Sequence, residues 1–305
     1  MASQVGNLGT APGAGLDTRR ADPAAMTAER HAGGGRIGDR IAFGVLILFA
    51  VLWFLPLAWA VATALKPEAE TTDIPVEWIA STVTVQAFRE VLSAGNLPRW
   101  YVNSFLTSAA ITALTVLLAS LAAFGISRTR FRGRNALFGL ILAGIMVPGQ
   151  ILIVPLFTQM QSFRMVDTYW GIILPQIASP VAVFIFKQFF DGIPRDLEEA
   201  ATIDGASRLR VYWQIWMPLA RTAIAAVAIF TFVGAWNNFL WPFIVITNPD
   251  MMTLPVGLSQ VQTAYGIRYA QIMASAVLGG LPLLIVFLFF QRQIVQGIAG
   301  TGIKG

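Results

Sequence analysis

The chain has 305 residues, of which 56% are hydrophobic and only 12% are charged, with a mean hydropathy of +0.65 and a formal net charge of +5. Several apolar runs approach the roughly twenty residues that cross a bilayer as a helix, so the composition predicts a polytopic membrane protein and excludes an ordinary soluble domain. The chain has no cysteine and only one histidine, His31, which excludes disulfides, thiolate metal sites and a histidine-rich metal site within the membrane.

The N-terminal segment, residues 1–36, is rich in glycine and alanine and lacks a long apolar run. Such a composition cannot bury enough apolar surface to order itself, so a flexible tail is predicted. It does not read as a secretory signal, because the first apolar run begins at Ile41 and exceeds the roughly 7–15 residues of a signal core. We therefore predict a tail at residues 1–36 and a first membrane helix within residues 37–66.

The apolar runs predict an all-α polytopic membrane protein with six transmembrane helices. The predicted spans are residues 41–65, 100–127, 136–157, 169–189, 222–246 and 269–290. The segment at residues 67–99 is the longest connection on its side of the membrane, and residues 100–291 hold the other five helices and a polar loop at about residues 191–220. Residues 292–305 are predicted to form a C-terminal tail.

The positions of the basic residues predict the orientation of the chain. The connections after the first, third and fifth spans carry only Lys66, Arg89, Arg99, Arg164 and Arg268. The opposite side carries the arginines of the tail together with Arg128, Arg130, Arg132, Arg134, Lys187, Arg195, Arg208, Arg210, Arg221, Arg292 and Lys304. The positive-inside rule therefore places both termini and the polar loop in the cytoplasm and residues 67–99 outside it, and the net charge requires no nucleic-acid partner. The four arginines at residues 128–134 are interpreted as an orientation signal, with anionic lipid binding as the alternative.

The polar loop at about residues 191–220 predicts two short helices. Pro194 suits a first helical position, and the acidic residues that follow it favour a helix N-terminus, so a helix is predicted to begin there and to end at Gly205. The apolar residues that recur at helical spacing after Ser207 are Leu209, Tyr212, Trp213 and Trp216. They predict a second helix at the membrane surface. Such a finger suits a groove on a partner protein, and the alternative is an amphipathic helix that only caps the bundle.

Polar groups within the spans are candidates for a translocation path, because they are costly in hydrocarbon unless they face water or another helix. The candidates are Gln150, Gln176, Ser179, Asn237, Asn238 and Trp241. Prolines next to several of them interrupt the helices, and interrupted helices suit the wall of a cavity. The alternatives are contacts that hold helices together and, for tryptophan, anchoring at the lipid headgroups.

No phosphate-binding loop is present, because none of the three lysines, Lys66, Lys187 and Lys304, follows a glycine. Any ATP chemistry must therefore come from another polypeptide. The acidic residues lie almost wholly in loops, which disfavours a proton-coupled carrier. Two other classes stay open, a secondary transporter or channel and a membrane enzyme. The loop carboxylates that would serve such an enzyme are Glu68, Glu70 and Asp73.

The polar loop resembles a known motif. Glu199-Ala200-Ala201, then Gly205, Ile215 and Pro218, resemble the cytoplasmic loop motif of permease subunits of binding-protein-dependent ABC importers. Met217 stands where this family most often has leucine, which is a volume-conserving difference. Residues 204–207, 236–238, 254–258 and 296–305 extend the resemblance to the carbohydrate, maltose-type branch and to its second, shorter permease subunit. The resemblance covers about residues 41–305.

The resemblance implies the type I importer permease fold, with a cytoplasmic coupling helix, in a prokaryotic cytoplasmic membrane. It implies alternating access for a carbohydrate-type solute such as an oligosaccharide, a polyol or a glycerol phosphate. The implied partners are a second homologous permease, two ATPase subunits that bind ATP and Mg, and an extracytoplasmic solute-binding protein, with no catalytic residue or cofactor in this chain. The implied ATPase-coupling residues are Glu199, Ala200, Ala201, Asp204, Gly205, Gly297 and Lys304. The alternative is a permease for amino acids, peptides or another small solute.

Overall fold

A computed structural model describes residues 36–74, 77–78, 80–264 and 267–302. The predicted flexible tail lies outside these residues except for Arg36, and Lys304 lies outside them as well. The chain divides into two compact units, Met1–Pro56 and Leu57–Gly305. The described part of the first unit is helical, and the candidate site residues all belong to the second. The segment limits predicted from the sequence stay predictions.

The described residues form helices and no strand. The α-helices are α1 Arg36–Ala64, α2 Gln86–Ala94, α3 Leu97–Arg128, α4 Arg134–Ala143, α5 Ile153–Ser162, α6 Tyr169–Ile173, α7 Pro180–Asp191, α8 Asp196–Ile203, α9 Arg208–Val211, α10 Met217–Leu219, α11 Arg221–Trp236, α12 Leu240–Val245, α13 Leu254–Ala264 and α14 Tyr269–Gly302. A π-helical turn, Tyr212–Trp216, joins α9 to α10. Short 3₁₀ turns are Glu68–Thr71, Gly144–Met146, Gly149–Leu152, Leu174–Gln176 and Pro249–Met251.

Three helices among the described residues are long and apolar enough to cross a membrane by themselves, and up to six spans result if each bent pair of helices counts as one. The single helices are Gly38–Ala64, Leu97–Arg128 and Tyr269–Phe289. The bent pairs are Arg134–Met146 with Gly149–Ser162 at 94°, Tyr169–Gln176 with Pro180–Asp191 at 49°, and Arg208–Leu219 with Arg221–Trp236 at 78°. Prolines at two of these bends, Pro148 and Pro180, lack the N–H that would continue the helical ladder.

Helix α3 is central to the second unit, and it packs against α7 and α11. Its buried face is built largely of small and hydroxyl-bearing residues, which permit close approach of neighbouring helices. Thr115 donates to the carbonyl of Ile177 at 3.3 Å, and the hydroxyls of Ser120 and Tyr212 lie 2.8 Å apart. One apolar cluster surrounds each end of α3.

At the N-terminal end of α3, Trp100 fixes the loop that follows α12. Its indole N–H donates to the carbonyl of Pro249 at 2.9 Å, and only 4% of the residue is exposed. Nearby, the fully buried amide of Asn103 donates to the carbonyls of Asp250 and Met252 at 2.9 and 2.8 Å. These bonds satisfy backbone groups that a buried loop would otherwise leave unpaired.

Candidate functional site

The predicted finger is a short helix with a defined end. Helix α8 covers Asp196–Ile203, and its first turn carries the expected acidic residues. Gly205 has a φ of +76°, its N–H donates to the carbonyl of Thr202 at 3.0 Å, and the N–H of Ala206 donates to the carbonyl of Ala201 at 2.9 Å. This pair of bonds is a Schellman motif, in which glycine adopts the left-handed conformation without steric cost.

The end of α8 projects from the second unit. Ala201 is half-buried and packs toward the apolar cluster at the C-terminal end of α3, whereas Ile203 is 86% exposed. The other exposed residues of this end are Glu199, Ala200, Thr202, Asp204 and Gly205. An apolar tip surrounded by small and acidic residues is thus presented outward.

The helix that returns from the finger is seated by Tyr212 and Trp216, which are both fully buried. Ser207 caps it by accepting from the N–H of Arg210 at 3.3 Å. The other two residues of the predicted apolar face, Leu209 and Trp213, are 65% and 50% exposed in the isolated chain, so the prediction of a helix at the membrane surface stays a prediction. Tyr212 and Trp216 are the first and last residues of the π-helical turn.

The seat for this returning helix is a group of aromatic rings. The ring of Phe124, on α3, lies 5.3 Å from that of Tyr212 and 6.0 Å from that of Trp216. Phe190, at the end of α7, meets Trp216 edge-on at 5.5 Å. Tilted and edge-on pairs of this kind add stability beyond the area they bury. The finger is therefore anchored to α3 and α7 rather than joined by a loose linker.

Interruptions in three predicted spans meet at one open cavity of about 420 Å³. Its lining includes Gly149, Gln150, Pro175, Gln176, Asn238 and Trp241. The amide of Asn238 donates to the side-chain oxygen of Gln176 at 2.6 Å, and the indole of Trp241 donates to the carbonyl of Gly171 at 3.1 Å. Four of the six predicted path residues thus come together: Gln150, Gln176, Asn238 and Trp241.

The other two path candidates lie elsewhere. Ser179 caps α7 by accepting from the N–H of Ala182 at 3.2 Å, and it lines a neighbouring cavity of about 280 Å³ that Gln176 also reaches. Asn237 borders a separate groove beside α13 and α14, and its amide donates back to the carbonyl of Val233 at 2.9 Å.

The fifth predicted span also differs in its helical continuity. It was expected to place both asparagines within a continuous helix, but α11 ends at Trp236. Asparagine side chains compete for backbone hydrogen bonds, which favours such an interruption.

Asp167 is a residue that the sequence pattern did not single out. Its carboxylate accepts from the hydroxyl and N–H of Thr247 at 2.6 and 2.5 Å and from the N–H of Asn248 at 2.8 Å. Burial acts to raise the pKa of Asp167, but these three hydrogen bonds outweigh it and hold the pKa below the ordinary value. Asp167 has a backbone φ of +57°, and this unusual conformation cannot be recognised from the sequence.

The loop carboxylates considered for an enzyme have hydrogen-bond partners instead. Glu68 accepts from the N–H groups of Tyr269 and Ala270 at 2.6 and 3.1 Å and so caps α14. Glu70 accepts from the hydroxyl and the N–H of Ser81, and these bonds lower its pKa. Across the described ranges, no three side chains of histidine, aspartate or glutamate are grouped so as to hold a metal ion.

Bent apolar helices around a partly polar cavity, with a projecting finger between two of them, define the architecture of a helical, multi-pass membrane protein. The same fold is found in the crystal structure of a bacterial ABC transporter involved in the import of the acidic polysaccharide alginate, with a TM-score of 0.74 and 20% identity. That match covers 84% of this chain and 96% of the other. The predicted all-α polytopic fold of the type I importer permeases is confirmed.

The family follows from the sequence comparison. Residues 115–300 match the family described as the binding-protein-dependent transport system inner membrane component, and the chain belongs to this family. It is 37% identical to an arabinooligosaccharides transport system permease protein of Halalkalibacterium halodurans, over 87% of this chain and 95% of that protein. It is 32% identical to a lactose transport system permease protein of Rhizobium radiobacter, over 87% and 97% of the two chains. The predicted ABC importer permease class is therefore confirmed.

Proposed function

We propose that this chain moves a carbohydrate-type solute, such as an oligosaccharide, a polyol or a glycerol phosphate, across the cytoplasmic membrane by alternating access. The supporting observation is its similarity over most of its length to permeases named for arabinooligosaccharides, for lactose and, at 33% identity, for sn-glycerol-3-phosphate in Yersinia enterocolitica. A permease for amino acids, peptides or other small solutes is the alternative, and no relative named above supports it.

The exposed end of α8 is the proposed docking surface for an ATPase subunit. Ile203 is an exposed apolar residue that suits insertion into a cleft. Its neighbours Ala200 and Gly205 carry no bulky side chain that would hinder close approach, and Gly205 has a left-handed backbone. The acidic Glu199 and Asp204 beside it would select a basic or hydrogen-bond-donating cleft. Gly297, in the last turns of α14, and Lys304 are proposed as further coupling residues.

The cavity at the three helix interruptions is the proposed part of the solute path. The hydrogen-bonded amides of Asn238 and Gln176 present donors and acceptors of the kind that bind sugar hydroxyls. The indole of Trp241 adds an apolar surface of the kind that packs on a sugar ring. Gln150 lines the same cavity and is proposed to contact the solute there, whereas Ser179 and Asn237 are proposed to contribute at other stages of passage.

The proposed assembly has a second homologous permease, two ATPase subunits and an extracytoplasmic solute-binding protein. ATP and Mg bind to the ATPase subunits, and ATP binding moves α8 and with it the spans. Both termini and α8 face the cytoplasm in this proposal, because the basic residues concentrate on that side.

Charge reversal on the finger tests this proposal. Glu199→Lys is expected to leave membrane insertion intact and to abolish ATPase stimulation by the loaded binding protein. The lysine would place a positive charge against a cleft of the ATPase that is proposed to be basic or to donate hydrogen bonds. Asp39→Lys reverses an exposed acid outside the finger on the same proposed side of the membrane and is expected to retain stimulation. Normal stimulation in Glu199→Lys, or failure of the wild-type chain to co-purify with an ATPase, would contradict the assignment.

A further inference from the structure

Arg128, the last residue of α3, differs from the other arginines of its run. Its guanidinium donates through Nη2 to the carbonyl of Ile193 at 2.8 Å and to that of Phe190. Its Cζ lies 4.0 Å from the centroid of the Trp216 ring. Arg130 and Arg132, in contrast, are exposed on the turn that follows. Orientation of the chain requires only charge, so it does not account for these specific contacts.

The two carbonyls lie where α7 ends and the chain leaves for the finger. The carbonyl of Phe190 belongs to the last turn of α7, where carbonyls have no partner within the helix, and that of Ile193 lies just beyond the helix. The arginine therefore ties the helix end to the segment that follows it. A neighbouring bond strengthens the same junction, because Ser127 on α3 donates to Asp191 on α7 at 2.5 Å, and Lys187, one turn earlier on α7, donates to the same carboxylate at 2.5 Å. The ends of α3 and α7 are therefore joined by side chains from both helices.

Trp216 connects the same arginine to the helix that returns from the finger. The tryptophan is fully buried, and a guanidinium over its face gains electrostatic attraction from the ring. Arg128 also borders the open groove along α8 that Arg195, Glu198 and Glu199 line. One side chain thus contacts the segment that enters the finger and the segment that leaves it.

We propose that Arg128 is a positioning residue that makes the finger and the ends of α3 and α7 move as one unit. A displacement imposed on α8 is then delivered to two spans together instead of being absorbed by bending at Ile193 and Trp216. The inference rests on the proposed docking of the finger. The planar guanidinium is needed because it can bond two carbonyls in a fixed geometry and stack on a ring, whereas a lysine ammonium is a flexible point charge.

Distance measurements between two labels test this inference directly. The chain lacks cysteine, so Arg130→Cys and Leu197→Cys place unique spin labels on exposed positions beside α3 and in the first turn of α8, away from the end that is proposed to dock. In the full complex with its ATPase subunits, the label distance is expected to be the same without nucleotide and with ATP trapped. With Arg128→Gln added, the distance is expected to broaden and to shift by about 2 Å or more when ATP is trapped.

Two further variants separate positioning from a general effect on folding. Arg132→Gln, which removes an exposed charge from the same run, is expected to behave as the wild type. Arg128→Lys keeps the charge and is also expected to show the ATP-dependent shift in the label distance. It replaces Arg128→Gln in the experiment if the glutamine variant does not assemble with the ATPase subunits. A merely structural role would lower the yield of the complex without introducing that shift.

Three results would overturn the inference: a nucleotide-dependent distance in the wild type, an unchanged distance in Arg128→Gln, or full wild-type behaviour in Arg128→Lys. Failure of the wild-type chain to bind the ATPase would instead defeat the proposed function. The two failures are therefore distinguishable, because assembly is measured before the distance.

Discussion

Replacement of Gly205 isolates the backbone contribution to the finger. A Cβ at this position would meet no atom within 4 Å, so alanine introduces no clash and its cost comes from the φ of +76° alone. The left-handed conformation costs a non-glycine residue about 1–2 kcal/mol. That free energy corresponds to a factor of about 5–30 in the ratio of two conformations. The apparent affinity of the permease for its ATPase subunit is therefore expected to fall by up to about 5–30-fold in Gly205→Ala.

The assay is a titration of purified permease complex with the ATPase subunit, followed by binding and by stimulated ATP hydrolysis. Gly205→Asn is the matched control, because asparagine tolerates left-handed backbone better than alanine does. Gly205→Arg adds bulk to the docking surface and is expected to abolish binding. The expected order of affinity is glycine, asparagine, alanine, arginine. Equal affinities for the asparagine and alanine variants would refute the backbone argument.

Three further substitutions test contacts away from the finger. Gly257→Ala would place a Cβ 2.6 Å from Cε2 of Trp100 and closer still to two other ring atoms, so we expect about 1–3 kcal/mol of destabilisation in denaturant unfolding of the purified complex. Asp167→Asn removes charged hydrogen bonds at a partly exposed site and is expected to cost about 1 kcal/mol at neutral pH in the same assay. Glu68→Gln keeps only one acceptor for the two N–H groups that start α14 and removes a favourable charge, so a loss of about 1 kcal/mol is expected.

Controls accompany these substitutions. Gly139→Ala introduces a Cβ with no atom within 4 Å and is expected to leave stability unchanged or slightly raised. The pKa of Asp167 is lowered by folding, so its contribution is fully present above the ordinary value of 3.8 and is lost as the pH falls through the lower folded-state pKa. The stability difference between wild type and Asp167→Asn is therefore expected to shrink only in acid. A difference that grows in acid, or a Gly139→Ala variant as unstable as Gly257→Ala, would contradict these explanations.

Local signals in the sequence predicted the finger well. The acidic first turn, the alanine pair and the glycine that ends α8 each act within a few residues, and the structure has helix Asp196–Ile203 followed by left-handed Gly205. The returning segment was predicted as one helix, whereas the structure interrupts it with a π-helical turn, Tyr212–Trp216. A π-helical turn differs from an α-helical one in its backbone hydrogen bonds, which the apolar spacing of this segment does not report.

Contacts between residues far apart in the chain could not be predicted from the sequence. Arg128 belongs to a run of four arginines that look alike, and only the meeting of α3, α7 and the returning helix distinguishes it from Arg130. The same holds for Glu68, whose partners on α14 lie about two hundred residues away. A pattern of apolar and polar residues reports which side of a helix is apolar, but it does not report which helices become neighbours.

The sequence by itself determined the membrane class, the approximate positions of the apolar segments and the finger motif, because hydropathy, proline and glycine positions act over one or two turns of chain. The tertiary structure alone decided that Gln150, Gln176, Asn238 and Trp241 share one cavity while Asn237 faces another groove. It also decided that one arginine joins the finger to two spans. These outcomes depend on helix bends and on packing between segments far apart in the chain, which are settled by the free energy of the whole bundle.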